Sequence, residues 1–518
     1  MRTTISCHPI VWEQILVFFL LNYGAHAATT ISIPGAKWWA NAQWQIVAFC
    51  FPFAGLGRAI GLLISHRRHG EDELGKAIAM GAVAVVGRSK DWQPCTREGG
   101  GDELVYVQLP DGFNEAIDSE MSTVEIVVNV PDRNFGPISG IKSFPKDHES
   151  LFNIHGQFAS LPDGYELVIC PPGQLVELAI GLDNRSEIRI SRSRSFLKMA
   201  TSIVQLILSS VTIYRTRGSQ LDRYGYAAFG LSVFPYAFMS LVNLICIGIV
   251  GDYPSIYVMR TPLLDEVEGR DGTRISGEVG TLKKIVNGGR YERVGGWMGE
   301  RGFRAVRMWK EMGNGEDIIA VQVDKAKPPT KFKLAETARD KIVVNHINHG
   351  RRHRPITLSS EPLFLAEILV ELLENIPTRI RQRSATSKHR RLTNLRLWIK
   401  ELVILFFIFA SPILALVLPH LLIFFLTGFK KRESTAVERG FMMSWLVVSQ
   451  AYGLWFSFVI VSLDPTFFIP FPQMSVLKTL DMFFRLVIVA PLFLASPIGG
   501  FVMVGKMLRE FGSCSLIP

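Results

Sequence analysis

The sequence predicts a polytopic α-helical membrane protein with two mixed, β-containing cytosolic domains inserted between its spans. Three observations support this fold class. Six apolar runs each hold at least ~17 residues, enough to cross ~30 Å of hydrocarbon, and predict about six or seven spans. Hydrophobic residues make up 48% of the chain and charged residues 20%, a mixture typical of spans combined with soluble domains. Two long polar stretches interrupt the series of apolar runs. The apolar runs are 44–65, 198–214, 227–250, 397–427, 440–462 and 476–507.

Residues 1–65 are predicted to hold two N-terminal spans, of which the first is ambiguous. A basic residue precedes the apolar run 15–21, and Ala25-His26-Ala27 has the pattern of a signal-peptide cleavage site. Trp12 interrupts the start of the run, which argues against cleavage. A cleaved signal peptide and a retained signal anchor therefore both stay open.

Residues 66–197 are predicted to form a β-rich cytosolic domain. Basic residues lie at both ends of this stretch, and positive charge beside a span favours the cytosolic side. Short β-branched segments at 103–108, 124–130 and 165–170 are typical of strands. Spans three and four follow within 198–250.

The loop between spans three and four gives conflicting signals. Counting spans places residues 215–226 outside, whereas Arg215, Arg217 and Arg223 favour the cytosol. The conflict disappears if the run 198–214 dips into the bilayer without crossing it. The sequence leaves both solutions open.

Residues 251–396 are predicted to form the second cytosolic domain. Ser360 and Pro362 are helix-start signals, and they predict an amphipathic helix over 361–376. In one interpretation this helix packs on its own domain. In the other it lies along the membrane or against a partner.

A basic juxtamembrane segment, 379–400, leads into the next span. Positive charge at this position is attracted to anionic lipid at the cytosolic face by about 1 kcal/mol per charge. The alternative is that the charge only sets the orientation of the span. The candidate lipid-surface residues are Arg379, Arg381, Arg383, Lys388, Arg390, Arg391, Arg396 and Lys400.

The C-terminal spans are predicted within 397–507, followed by a tail over 508–518. The run 397–427 contains Pro412 and Pro419 and has basic clusters at both ends. A proline-broken re-entrant hairpin accounts for these facts. One tilted, kinked helix is the alternative.

Asp481 and Arg485 are the intramembrane polar candidates. They are four residues apart, so on a helix they share a face and can pair. Ionisable groups inside spans are typical of ion- or proton-coupled transport. A transporter or channel-like protein is therefore the alternative function.

No catalytic, cofactor-binding or metal-binding residue is predicted. His346, His349 and His353 are close in sequence, but Gly350 interrupts any helix and neighbouring arginines repel a cation. The glycine-rich part of the second polar stretch matches no phosphate-binding pattern, so an enzyme is the less favoured class. Much of the +10 net charge lies at span ends, so nucleic acid is not expected as a partner.

Three short motifs stand out in the chain: residues 22–29 (NYGAHAAT), residues 214–231 (YRTRGSQLDRYGYAAFGL, running on to Pro235-Tyr236 and Met239-Ser240) and residues 427–431 (TGFKK). They resemble a family of uncharacterised multi-span membrane proteins of filamentous fungi. The family has no assigned activity. The resemblance therefore implies a fungal membrane protein that keeps its N-terminal segment, and it supplies no catalytic residue.

Taken together, the sequence predicts a membrane-anchored scaffold or sensory and interaction protein of unknown biochemical activity. Its expected partners are the lipid bilayer, anionic lipid at the cytosolic face, and proteins that meet the two domains. The sequence does not distinguish the plasma membrane from an endomembrane.

Overall fold

The computed structural model divides the chain into two units. Unit 1 comprises Met1–Arg68, Arg192–Tyr253 and Phe364–Pro518, and unit 2 comprises His69–Ser191 and Pro254–Leu363. The described residues are 4–8, 10–89, 92–96, 104–108, 123–127, 142–143, 152–157, 161–170, 172–179, 182–183, 185–193, 195–271, 275–282, 286–287, 290–291, 303–313, 316–323, 329–337, 341–346, 390–455, 476–511 and 513–517.

The structure contains thirteen α-helices within the described residues. They are α1 Trp12–Phe19, α2 Ala25–Ala27, α3 Trp38–Cys50, α4 Pro52–His69, α5 Glu73–Ala79, α6 Pro172–Ala179, α7 Phe196–Arg215, α8 Ser219–Tyr224, α9 Val233–Val250, α10 Pro262–Asp271, α11 Arg390–Thr427, α12 Ala436–Trp455 and α13 Val476–Phe511. A π-helical turn, Leu20–Gly24, joins α1 to α2, and 3₁₀ turns occupy Arg185–Glu187, Gly225–Ala227 and Phe229–Ser232.

Most strands lie in unit 2. They are β1 Thr4–His8, β2 Val83–Arg88, β3 Leu104–Gln108, β4 Thr123–Val127, β5 Lys142–Ser143, β6 Tyr165–Ile169, β7 Leu182–Asp183, β8 Tyr257–Val258, β9 Thr281–Leu282, β10 Val286–Asn287, β11 Arg290–Tyr291, β12 Phe303–Gly313, β13 Glu316–Gln322, β14 Thr330–Thr337, β15 Lys341–His346 and β16 Ser513–Ile517. In unit 1, β1 pairs antiparallel with β16.

Within the described residues, three helical segments are long and apolar enough to cross a membrane. They are Phe196–Arg215, Phe229–Val250 and Ile408–Thr427. The first two form an antiparallel pair. Lys198 bonds to Asp252 at one end of the pair, and Thr216 lies against Gly230 at the other.

The run 397–427 is part of one continuous helix. α11 passes through Pro412 and Pro419 without a break, so the structure shows a single helix in place of the re-entrant hairpin. Pro419 has no N–H to bond the carbonyl of Ala415, four residues earlier. Gln450 on α12 supplies the missing donor, because its Nε2 lies 2.8 Å from that carbonyl oxygen and 3.2 Å from the next.

A helical hairpin occurs instead in the run 44–65, which the sequence predicts as a single span. α3 ends at Cys50, and Pro52 opens α4 at the position where a proline costs a helix least. The guanidinium carbon of Arg58 lies 4.5 Å from the ring centroid of Trp44. Contact between residues on either side of the break shows that the two helices fold back on each other.

The two polar stretches fold together in unit 2, which differs from the prediction of separate domains over 66–197 and 251–396. A closed barrel has the strand order β12-β13-β14-β15-β4-β3, and its neighbouring strands pair antiparallel. A second sheet has the order β5-β6-β2-β8. The barrel takes β3 and β4 from the first stretch and its other four strands from the second, and the second sheet adds β8 to strands of the first stretch.

A buried ion pair joins the elements of unit 2. Arg88 on β2 donates its Nε to Glu266 Oε1 at 3.1 Å and its Nη2 to Oε2, and neither side chain is exposed. Arg88 Nη1 donates to the carbonyl of Tyr106 at 3.1 Å, and the Tyr106 amide donates to Glu266 Oε2 at 3.2 Å. The Tyr165 hydroxyl donates to Glu266 Oε1 at 2.5 Å. The ring of Trp92 covers the guanidinium at 4.4 Å.

This arrangement fixes the protonation of its tyrosine. Burial, together with the negative charge of Glu266, raises the pKa of Tyr165 well above its ordinary value. The phenol therefore stays a hydrogen-bond donor at neutral pH. Because the pKa of Tyr165 is higher in the folded state, protonated Tyr165 stabilises the fold. This contribution to the free energy of unfolding is complete below pH ~10 and is lost as the pH rises further.

Neutralising Glu266 should destabilise unit 2, because the buried charge of Arg88 would then have no counter-charge. Glu266→Gln keeps the shape of the side chain but leaves the Arg88 guanidinium without its counter-charge. We expect a loss of about 3–5 kcal/mol in the free energy of unfolding of unit 2. The measurement is urea unfolding of the full-length protein in detergent, followed by near-UV circular dichroism.

The matched control is Lys331→Ala, which removes a half-exposed bond to Glu311. That change should cost about 0–1 kcal/mol. Equal urea midpoints for Glu266→Gln and Lys331→Ala would contradict a stabilising role for the buried pair.

Candidate functional site

One helix of unit 1, α7, carries polar side chains inward and apolar side chains outward. On α7 the buried residues are Ser202, Gln205 and Ser209, which share one helical face. An amphipathic helix of a water-soluble protein has the opposite arrangement. The large apolar residues that α7 exposes are Phe196, Leu197, Ile203, Val204, Ile207, Leu208, Val211 and Tyr214.

α11 and α12 also expose apolar residues, and they bury polar residues together with apolar ones. Ser411 on α11 and Ser449 and Gln450 on α12 are buried. The exposed residues of α11 are almost all aliphatic or aromatic. They include Leu402, Phe406, Ile413, Leu416, Val417, Leu421, Phe424 and Phe425.

The polar face of α7 extends along the whole helix. We call it the α7 seam, and it comprises Lys198, Ser202, Gln205, Ser209, Thr212 and Thr216. Successive members are three or four residues apart, so they form one stripe. At 1.5 Å per residue the seam is ~27 Å long, close to the thickness of a hydrocarbon core.

His26 bridges α7 and α9 beside the seam. Its Nε2 lies 2.5 Å from Ser209 Oγ, and its Nδ1 lies 2.7 Å from Ser240 Oγ. Thr29 Oγ1 lies 3.1 Å from Ser240 Oγ, and Asn243 Nδ2 lies 3.5 Å from Thr29 Oγ1. The imidazole has no exposed surface. We call these five residues the His26 network.

The donor and the acceptor of each hydrogen bond around His26 can be assigned. The Thr29 hydroxyl donates to the carbonyl of His26 at 2.7 Å, so it accepts from Ser240. Ser240 in turn accepts from Nδ1–H of His26, and Nε2 accepts from Ser209. The bonding pattern therefore assigns the neutral tautomer protonated on Nδ1.

Two buried amide oxygens flank the network without a hydrogen-bond partner among the described residues. They are Gln205 Oε1 and Asn243 Oδ1. Gln205 lies one turn before Ser209 on α7, and Asn243 lies one turn after Ser240 on α9. A buried carbonyl left unpaired costs about 1–3 kcal/mol, so each oxygen is a strong acceptor for a small polar ligand such as water.

Charged groups lie at one end of the seam. Lys198 Nζ is 2.8 Å from Asp252 Oδ2 and also donates to the Ser32 hydroxyl. Ser195 Oγ donates to the same carboxylate oxygen at 2.8 Å. The ammonium is therefore paired with a carboxylate and bonded to a hydroxyl where the seam begins.

Side chains from α9 and α12 bond the backbone at the tip of the α3–α4 hairpin. Helix ends leave carbonyl and amide groups unpaired, and these groups need partners when they are buried. The three bonds are Tyr236 Oη to the Phe49 carbonyl, Trp445 Nε1 to the Cys50 carbonyl at 2.8 Å, and the Phe53 amide to Ser449 Oγ at 3.2 Å. The tip is therefore fixed inside the bundle.

Two short loops pack together at the other end of the α7–α9 pair. The Tyr226 amide donates to the Lys430 carbonyl at 3.2 Å, and the Glu433 amide donates to the Arg223 carbonyl at 3.0 Å. Gly225 has φ +58°, and an added Cβ would meet the Lys430 carbonyl oxygen at 2.0 Å. This close approach requires glycine.

A capping box opens α12 beside these loops. The Thr435 amide donates to Glu438 Oε2 at 2.8 Å, and the Glu438 amide donates to Thr435 Oγ1 at 3.2 Å. Lys506 Nζ lies 3.3 Å from Glu438 Oε1. Burial acts to raise the pKa of Glu438, but the bonds to Thr435 and Lys506 outweigh it and hold the pKa below its ordinary value.

The structure brings together the three motifs that carry the resemblance. Residues 22–29 supply His26 and Thr29, and Ser240 follows the second motif. Residues 214–231 and 427–431 meet through Tyr226 and Lys430. All three therefore belong to the bundle of unit 1.

The sequence-predicted site residues fall largely outside the described side chains. Asp481 and Arg485 lie on α13, and His346 ends β15, but their side chains are outside the described residues. The same holds for Arg390, Arg391, Arg396 and Lys400 on α11. Arg379, Arg381, Arg383, Lys388, His349, His353 and the predicted helix 361–376 lie outside the described residues altogether.

Sequence reasoning gave His26 no functional role, since it appeared only in a cleavage pattern and in the motif 22–29. Its partners lie 183 and 214 residues away, so no local spacing reveals them. Two other signals were present in the sequence. One is the polar repeat of three and four residues on α7, and the other is the Thr-x-x-Glu pattern at Thr435.

Comparison with known proteins returned no match to the chain among protein-family models, curated proteins or solved structures. The resemblance to fungal membrane proteins stays a prediction.

The hairpin tip makes a packing prediction. Gly453 on α12 lies so close to the tip that an added Cβ would meet the Phe53 carbonyl oxygen at 2.4 Å. Gly453→Ala should therefore push α12 away from the hairpin and cost about 1–3 kcal/mol. The measurement is the thermal unfolding midpoint of the full-length protein in detergent.

Gly440→Ala is the matched control on the same helix, because an added Cβ there has no neighbour within 4 Å. The control should leave the midpoint unchanged or raise it, since alanine favours a helix by up to about 1 kcal/mol. A Gly453→Ala midpoint at or above that of Gly440→Ala would show that the two segments are not tightly packed.

Proposed function

We propose that the protein is a multi-pass integral membrane protein that holds unit 2 at the membrane as a scaffold or sensory and interaction module. The observation that carries the membrane assignment is α7, which buries serine and glutamine and exposes aliphatic side chains. Ile207, for example, is 60% exposed. In water this arrangement forfeits about 25 cal/mol for every Å² of apolar surface left exposed. In lipid the same surface carries no such penalty.

The construction of unit 2 supports an interaction module. Its charged centre, Arg88 and Glu266, is buried, and its groups are bonded to one another instead of facing a cleft. Charges held in this way stabilise a fold and do not reach a substrate. The barrel presents Lys331 and Lys333 on β14 as exposed charged residues. A rigid body with a charged surface suits contact with other proteins.

A transporter or channel-like protein is the second candidate, and the α3–α4 hairpin favours it. Interrupted helices in membrane transporters leave backbone groups at membrane depth, where they line a binding site. The tip of this hairpin has the same kind of interruption, although side chains bond its carbonyls. The predicted pair Asp481 and Arg485 gives a direct test. Replacement of both residues should abolish flux in a transporter and leave a scaffold unaffected.

The interaction proposal is tested by crosslinking the full-length protein in its native membrane. Glu266→Gln should lose the partners that the wild type captures, while the fraction that resists carbonate extraction stays the same. Lys331→Ala, whose fold should be intact, is the control for partners that need the folded barrel. Identical capture by wild type and Glu266→Gln would count against unit 2 as the interacting part.

The shared barrel makes a separate prediction about topology. Its strands come from both polar stretches, so we expect both stretches on one side of the membrane. The α7–α9 pair between them must cross an even number of times. Reporters placed after residues 100 and 330 should therefore report the same side, which the sequence predicts to be the cytosol.

Reporters after residues 220 and 435 should report the opposite side, because the loops that hold them pack together at the far end of the α7–α9 pair. Agreement of residue 220 with residue 100 would mean that 198–214 dips into the bilayer without crossing it. Disagreement between residues 100 and 330 would rule out the shared barrel.

A further inference from the structure

We propose that Cys7 and Cys514 form a disulfide bond that joins β1 to β16 on the non-cytosolic side of unit 1. The two strands pair antiparallel, and the two cysteines hold directly opposite positions in that pairing. The inference goes beyond the scaffold function, because it assigns a covalent modification to unit 1. The side on which the bond forms rests on the proposed membrane insertion.

The register of the two strands brings the two cysteines within bonding range. Five residue pairs face each other along β1 and β16, and Cys7 with Cys514 is the fourth of them. The Cα atoms of directly opposite residues in an antiparallel pair lie about 4.5 or 5.5 Å apart. Disulfides join residues whose Cα atoms are about 4.4–6.8 Å apart. A pairing of this kind therefore has the backbone separation that the bond requires.

A covalent bond also explains how so short a pair of strands keeps its register. Each strand has five residues, and no third strand joins the pair among the described residues. Two isolated strands are marginally stable in water. A slip of one residue would place Cys7 opposite a serine, because Ser513 and Ser515 flank Cys514. A disulfide excludes both slips, and it restricts the unfolded chain because it closes a very long loop.

Cys7 and Cys514 are the only cysteines that face each other in the described strand pairings. The chain has six cysteines, so four others serve as internal references for the oxidation state. One lies on α3, one on α9 and two in unit 2, and they are Cys50, Cys246, Cys95 and Cys170. The facing arrangement is therefore specific to β1 and β16.

β16 follows the end of α13 that lies beside the loop between α7 and α9. The Tyr224 hydroxyl donates to the Met507 carbonyl at 3.3 Å, and Arg223 Nη1 donates to the Glu510 carbonyl at 3.2 Å. A single residue separates the end of α13 from β16. The chain therefore enters β16 at the same end of unit 1 as that loop.

Under the proposed membrane insertion, this end of unit 1 faces an oxidising compartment. The shared barrel favours placing the loop between α7 and α9 on the side opposite both polar stretches, and the sequence predicts those stretches in the cytosol. Disulfides persist in extracellular proteins and in the lumen of the endoplasmic reticulum, whereas glutathione keeps cytosolic thiols reduced. The two cysteines therefore meet on the side where a disulfide is stable.

Formation of the bond is a two-electron oxidation, and a disulfide such as oxidised glutathione is the electron acceptor. One cysteine thiolate attacks the acceptor, forms a mixed disulfide and releases one glutathione thiolate. The second cysteine thiolate attacks the mixed disulfide, forms the bond between Cys7 and Cys514 and releases the second glutathione thiolate. The two protons of the cysteine thiols pass to the two glutathione thiolates. Two thiols are oxidised, and one disulfide is reduced to two thiols.

The experiment reads the oxidation state of each cysteine in the full-length protein from its native membrane. Thiols are blocked with light N-ethylmaleimide under denaturing conditions, disulfides are reduced, and the released thiols are labelled with the heavy reagent. Mass spectrometry should find heavy label on Cys7 and Cys514 and light label on the other four cysteines. A non-reduced digest should contain a peptide that links Cys7 to Cys514. Cys7→Ser should remove the linked peptide and return Cys514 to the light label.

The matched control moves the thiol by one residue along β1. Ser6→Cys combined with Cys7→Ser places the thiol on the opposite face of the strand, so no link to Cys514 should form. Addition of Ser515→Cys and Cys514→Ser should restore a linked peptide, because positions 6 and 515 face each other. A link in the first variant would show that strand register does not select the partner, and it would overturn the proposal.

Three other results for the wild type would overturn the bond itself. They are light label on Cys7 and Cys514, a link from either of them to another cysteine, and a mature chain that begins after Ala27 and so lacks β1. None of these results depends on whether a variant folds.

The side of the membrane is tested separately. A reporter placed after residue 518 should report the same side as one placed after residue 220, and agreement with residue 330 would overturn the non-cytosolic placement. Carbonate extraction is measured first. Protein released by carbonate marks a failure of the proposed membrane function, whereas a missing linked peptide in carbonate-resistant protein marks a failure of the disulfide.

Discussion

The pairing of buried polar groups inside an apolar-faced bundle is the constraint on which unit 1 depends. Water is absent from a hydrocarbon core, so each backbone or side-chain polar group there needs a partner in the protein. Gln450 bonds the carbonyl that Pro419 leaves free on α11. Trp445 does the same for Cys50 at the hairpin tip. At these two irregularities a donor on another helix bonds the freed carbonyl, which explains how a broken helix and a proline-containing helix fit into the bundle.

In unit 2 the buried polar groups that need partners are charged, and they bond to each other. The Arg88–Glu266 pair is fully bonded, and it gathers β2, β3, β6 and α10 around one carboxylate. The elements come from stretches of chain that the α7–α9 pair separates. A fold assembled from two distant stretches forms only when the intervening helices return the chain to its starting side. Under the proposed membrane insertion, the shared barrel therefore favours placing residues 215–226 on the opposite side from both polar stretches, against the charge of Arg215, Arg217 and Arg223.

Local patterns in the sequence predicted what depends on neighbours along the chain. The runs 198–214 and 227–250 became α7 and α9, and the strand at 165–170 became β6, because hydropathy, length and β-branching act locally. Strand pairing was not predicted, since it joins residues far apart. The break was assigned to Pro412 and Pro419 instead of Pro52. A proline inside a buried helix is tolerated when a distant side chain such as Gln450 bonds the freed carbonyl, and no pattern near the proline reports that partner.

Collision accessibility of spin labels on α7 tests whether the apolar face of this helix lies in lipid. Labels at Ile207 and at Gln205 are placed one at a time in the full-length protein, which is reconstituted in lipid. The label at Ile207 should collide often with oxygen and rarely with a water-soluble nickel complex, as a lipid-facing site does. The label at Gln205 should be shielded from both reagents. Strong nickel access at Ile207 would place that face in water and contradict the insertion of α7 in a membrane.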